Sequence, residues 1–61
     1  MKNYVSAPLI NIGEAAQYLG VGRQVIYQLI ETGEIRAVKV GRGVRIEMAS
    51  LDDLKARRGY I

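Results

Sequence analysis

Ile12–Ile46, IGEAAQYLGVGRQVIYQLIETGEIRAVKVGRGVRI, decides the fold, because it reads as two short helices followed by a basic hairpin. Ile12, Ala15, Ala16 and Leu19 fall at i, i+3, i+4 and i+7, one apolar stripe of a helix. Just before them Asn11 suits an N-cap, and Glu14 stands three residues on, the spacing of a capping box. The two alanines are small enough to let another helix approach closely. Gly20 supplies a stop, since glycine adopts the left-handed backbone of a helix end at least cost. Only Gly20-Val21-Gly22 separates this helix from the next, and so short a glycine-containing link forces a sharp turn between helices. With Gly22 as the second cap, Val21 and Ile26 occupy the two positions of a hydrophobic staple. The second helix is expected from Arg23 to Thr32, ended by Gly33. Ile26, Leu29 and Ile30 then point inward, and Arg23, Gln24, Tyr27, Gln28 and Glu31 outward.

Ile35–Val40 and Val44–Glu47 are rich in β-branched residues and alternate. That pattern predicts a hairpin with Val38, Val40, Val44 and Ile46 on one face and Lys39 and Arg45 on the other. The link Gly41-Arg42-Gly43 closes it and holds Arg42 at the tip. Ser50 is expected to cap a last short helix, with Asp52 and Asp53 in its first turn and Lys55, Arg57 and Arg58 near its end, as the helix dipole prefers. Leu51 and Leu54 are its expected core contacts. Residues 1–9, with Pro8 and no sustained period, read as an extended N-terminal arm.

Sixty-one residues allow one domain and one small core, in a chain that buries about 60% of the surface it exposes when unfolded. There is no cysteine for a disulfide, and without histidine a structural zinc site has little basis. The core must come from aliphatic side chains. No apolar run approaches the ~20 residues of a membrane span, and Met1-Lys2-Asn3-Tyr4 lacks the hydrophobic core of a signal peptide. The expectation is a cytoplasmic protein with no membrane partner.

The net charge is +3, and its placement is more informative than its size. Residues 1–22 and 46–61 are each neutral. Residues 23–45 carry Arg23, Arg36, Lys39, Arg42 and Arg45 against Glu31 and Glu34, so the whole excess falls on the second helix and the hairpin. A nucleic-acid-facing surface needs its charge there, although a merely solvated basic face would look the same from charge alone.

A helix pair with a tight turn can seat one helix in a DNA major groove while a neighbouring hairpin grips the backbone or minor groove. Arg23 and Gln24 lie in the first turn of the second helix; arginine suits guanine O6 and N7, and glutamine suits adenine N6 and N7. Tyr27 and Gln28 can bond phosphates. Arg42 is the expected contact from the hairpin tip, and Lys39 and Arg45 from its exposed face, unless these two serve as edge-strand charges against aggregation. Val25 is expected to be partly buried, and Tyr4, Tyr18 and Tyr60 to serve packing. No catalytic residue, cofactor or metal is expected. Asp52 and Asp53 diverge by about 100° on a helix, and Gly41-Arg42-Gly43 lacks the lysine and spacing of a phosphate loop.

The run Asn11-Ile12-Gly13-Glu14-Ala15-Ala16-Gln17-Tyr18-Leu19-Gly20-Val21 resembles the opening of excisionase-type, MerR-like helix-turn-helix domains, in which Thr-x-x-Glu-Ala-Ala-x-x-Leu-Gly-Val leads into the recognition helix. Arg23–Ile30 is similar to the second helix of that family, Glu34–Arg42 to the first half of its wing, and Arg45-Ile46 with the following helix to the remainder. The likeness covers roughly residues 9 to 57. It implies an α+β fold, a small winged helix-turn-helix domain over 10–58, with 59–61 as a tail. It also implies DNA contact from Arg23, Gln24, Tyr27 and Gln28 on the recognition helix and from Arg42 on the wing. Three positions depart from the family pattern. Gly22 stands where serine is common, Arg36 where proline is common, and Val44 where an aromatic residue is frequent.

Two roles share this fold. One is an architectural accessory factor that binds duplex DNA for a site-specific recombinase. The other is a small transcriptional regulator, or the DNA-binding domain of a longer one. Mercury-resistance-type regulators continue into a long dimerisation helix, whereas about fourteen residues follow Glu47 here, which favours the accessory factor or an excised domain. A third class, a protein-docking module, would need an exposed apolar patch. The expected partners are double-stranded DNA, a recombinase, and further copies of the chain bound cooperatively, because one module this small offers little contact area.

Overall fold

Asn11 opens the first helix through a complete capping box. The computed structural model describes residues 8–59. In it the Glu14 N–H donates to Asn11 Oδ1 at 2.8 Å and the Asn11 N–H donates back to Glu14 Oε1 at 3.1 Å. Helix α1 spans Ile12–Leu19 and ends at Gly20, whose φ of 72° is the left-handed cap. Helix α2 spans Arg23–Glu31, with Gly22 as N-cap and Thr32 as C-cap.

The rest of the chain forms strands β2 (Ala37–Val40) and β3 (Gly43–Glu47) and helix α3 (Met48–Arg58), preceded by a short strand β1 at Leu9–Ile10. The sheet is antiparallel in the order β1-β3-β2. Strand β1 lies where the arm was expected; its residues Leu9 and Ile10 pair with Glu47 and Ile46. Residues 1–7 of that arm, including Tyr4, lie outside the described residues, as does Tyr60.

The core collects one stripe from each element. Ala15, Ala16 and Leu19 of α1 meet Ile26 and Leu29 of α2, Ile35 of the connecting loop, Ile46 of β3, and Leu51 and Leu54 of α3. All nine are buried, and Ile26, Ile46, Leu51 and Leu54 are 0% exposed. Val21, Val25 and Ile30 pack around this cluster as partly buried neighbours. Full burial of one such aliphatic side chain is worth about 1.5–3 kcal/mol, so a handful of them dominates the stability of so small a domain.

Two expectations are corrected. The hairpin register pairs Ala37 with Ile46, Val38 with Arg45, Lys39 with Val44 and Val40 with Gly43. The loop is therefore Gly41-Arg42 alone, with Gly41 at φ 60° in the first central position, where a type II′ turn places glycine. One residue fewer in the loop moves every side chain of β2 to the opposite face. Ala37 and Lys39 share the face of Val44 and Ile46, while Val38 and Val40 share the other with Arg45. Lys39 and Arg45 thus lie on opposite faces of the hairpin.

The second correction concerns Ser50. Helix α3 starts at Met48 directly from β3, with Glu47 as N-cap and no side-chain cap bond. The Met48 N–H donates instead to the Pro8 carbonyl at 3.0 Å. Ser50 sits inside the first turn; its hydroxyl donates to Glu47 O at 2.8 Å and accepts the Arg36 N–H at 3.0 Å. Asp52 and Asp53 consequently fall beyond the first turn, which holds no acidic residue. Leu51 and Leu54 are buried and Lys55, Arg57 and Arg58 occupy the last turn, as the pattern predicts. Among the described residues no helix is long and apolar enough to cross a membrane.

Candidate nucleic-acid interface

Arg23, Gln24, Tyr27 and Gln28 stand at i, i+1, i+4 and i+5 on α2, and all four are exposed. They share one face because Ile26 and Leu29 take the opposite one into the core. Tyr27 is 55% exposed, unusually open for an aromatic side chain. The first turn of α2 contains no acidic residue, and its cap Gly22 makes no side-chain bond, so nothing offsets Arg23 there.

On the wing, the hairpin of β2 and β3, Arg42 is exposed in the second position of the turn and Lys39 is exposed near the tip of β2. Arg45 is only half-buried; its Nη1 donates to the neighbouring Val44 carbonyl at 3.3 Å. The structure thus groups the four α2 residues on one surface but divides the wing's cations between the tip and two faces.

Pairing separates these cations from the others. Arg36 Nε lies 3.5 Å from Glu47 Oε1, Arg57 Nε lies 3.1 Å from Asp53 Oδ2, and Arg58 pairs with Glu34. Lys55 sits 4.4 Å from the centroid of the Tyr18 ring. Among the described residues, Arg23, Lys39, Arg42 and Arg45 have neither kind of partner. The charge of Arg36 is therefore offset, while its backbone N–H ties the loop to Ser50.

Sequence reasoning missed this bracket of Arg36, Glu47 and Ser50 at the base of the wing, and also a contact between α1 and α3. The Tyr18 hydroxyl donates to Asp52, across 34 residues of sequence. That hydrogen bond, with burial and the Asp52 charge adding to it, raises the Tyr18 pKa above its ordinary 10.0. Neither link leaves a local signal, because each joins residues that only the tertiary fold brings together. Tyr18 serves packing, as expected, and is not a free stacking platform.

Comparison with known proteins agrees with this geometry. Residues 9–59 match the family model described as "Helix-turn-helix domain". The chain belongs to this helix-turn-helix domain family. A relative named "Probable excisionase" from Saccharopolyspora erythraea is 45% identical over 49 residues, covering 80% of this chain and 50% of the relative. A Mycobacterium tuberculosis protein named "Putative DNA-binding protein" is 33% identical over 46 residues, covering 75% of this chain and 59% of its own length. This helix-turn-helix chain therefore spans only about half the length of the curated relatives it matches. The resemblance read from Asn11–Val21 and the segments after it is borne out, as is the α+β winged architecture, with β1 as an added third strand.

Proposed function

We propose that this helix-turn-helix domain binds duplex DNA with α2 in the major groove and the wing on the adjacent backbone or minor groove, as an architectural accessory factor for a site-specific recombinase. The observation that carries the reading is the division of the cations: those of α3 and the wing base are ion-paired or, for Lys55, set over Tyr18, while among the described residues Arg23, Lys39, Arg42 and Arg45 have no such partner and are left for an anionic one. Arg23 and Gln24 enter deepest and read base edges. Tyr27, Gln28, Lys39, Arg42 and Arg45 fix the register on phosphates. The similarity to a protein named as an excisionase supports the recombination role. Several copies bound side by side would enlarge the small contact area of one module.

A second reading, the DNA-binding domain of a longer regulator, draws on the other relative, whose name gives DNA binding alone, and on the partial coverage of both. Selection of bound duplexes from a random pool, followed by footprinting on native DNA, separates the two. Direct repeats beside a recombination site are expected. A promoter site would favour the regulator, and no sequence-specific binding would overturn both.

A further inference from the structure

Two glycines face two arginines that have no ion-pair or ring partner among the described residues. A Cβ built on Gly13 would lie 3.0 Å from Arg23 Nη2 and 3.6 Å from its Cζ; one built on Gly43 would lie 2.8 Å from Arg45 Nη1. Neither glycine has a positive φ, so the backbone does not call for glycine at either position. By contrast Gly22, Gly33, Gly41 and Gly59 have no atom within 4 Å of such a Cβ. Gly13 lies in the first turn of α1, where glycine is a weaker helix former than alanine. Gly43 lies at the first residue of β3, where glycine is likewise weak.

We propose that Gly13 is a positioning residue that seats the Arg23 guanidinium against the first turn of α1, and that Gly43 does the same for Arg45 on the wing. The proposal rests on the reading that these arginines meet DNA. Arginine is a long, rotamer-rich side chain, and binding must restrict it; a guanidinium already lodged against bare backbone loses less freedom on contact. The atom that an added methyl would strike is in each case the far end of that flexible side chain. Alanine is therefore accommodated by displacing the guanidinium, and the fold itself is spared. Through Gly13, α1 sets how the recognition helix presents its leading cation, although α1 itself need not touch a base.

The test uses the whole chain, with labelled mixed-sequence duplex DNA at low salt and the duplex recovered by selection as probes. Gly13→Ala should keep or raise the melting temperature, shift the Arg23 Nε–H NMR resonance of the free protein, and weaken binding of the selected duplex about two- to tenfold, the range for ordering one long side chain. In an Arg23→Ala background the same change should cost nothing further. Gly43→Ala should behave alike toward Arg45. An unmoved Arg23 resonance, unchanged affinity, or an equal loss in the Arg23→Ala background would overturn the seat at Gly13. If Arg23→Ala itself leaves binding intact, the positioning role fails while DNA binding stands. If the wild type binds neither probe, the functional reading fails, and the positioning role built on it fails too.

Discussion

The tip of the wing with the outer face of α2, and α3 with the base of the wing, each carry four basic residues and treat them oppositely. Arg23, Lys39, Arg42 and Arg45 have no ion-pair or ring partner among the described residues, whereas Arg36, Arg57 and Arg58 are ion-paired and Lys55 lies over Tyr18. Net charge alone does not distinguish these groups. Glu34 lies in the stretch that holds the positive excess, yet it neutralises Arg58 of α3; Glu47 lies outside that stretch and neutralises Arg36 within it. The two exchanges cancel in the sum, so the excess of residues 23–45 survives, but it is concentrated on four side chains.

The largest effect should come from the support side. Leu51→Ala opens a cavity where exposure is 0% and should cost about 2–5 kcal/mol by chemical denaturation. A loss well below that range would mean that α3 is dispensable to the core. Next, Arg23→Ala and Gln24→Ala should change which duplex is selected from a random pool, since a good bidentate base contact is worth about 1–3 kcal/mol of discrimination. An identical selected site in both variants would place base readout elsewhere. Ser50→Ala removes the hydroxyl between Arg36 N and Glu47 O and should cost about 1 kcal/mol of stability. No change there would show that the wing base holds without its bracket.

The smallest effect concerns pH. The folded pKa of Tyr18 is raised, so the stability from its bond to Asp52 is complete below its ordinary 10.0 and is lost as pH rises through the folded value. Tyr18→Phe should remove that alkaline component from the pH dependence of the melting temperature. An unaltered alkaline profile would assign it to another group.

Much of this was legible because it is local. The capping box of Asn11 and Glu14, the stop at Gly20, the stripes of α1 and α2, and the inward leucines of α3 each follow from residues within a few positions of one another. The register of the wing was not. Counting Gly41-Arg42-Gly43 as a three-residue loop and taking the valines as inward are mutually consistent, and only the pairing of Val40 with Gly43 breaks the tie. Ala37, smaller than either valine, takes the place beside buried Ile46, while Val40 stays 46% exposed. Ser50 looked like a cap because capping residues normally follow a loop, but here the strand runs straight into the helix. For the interface, composition identified the basic residues but not which of them were already paired, since the pairs Arg58–Glu34 and Arg36–Glu47 join separate elements.

The salt dependence of binding decides whether the cations without an ion-pair or ring partner, and not the paired ones, meet DNA. Log affinity against log salt should flatten by about one ion for Arg42→Ala, because each phosphate contact contributes about 0.9 to the slope. It should keep the wild-type slope for Arg57→Ala, whose guanidinium is paired with Asp53. An unchanged slope for Arg42→Ala, or an equal flattening for Arg57→Ala, would contradict the account.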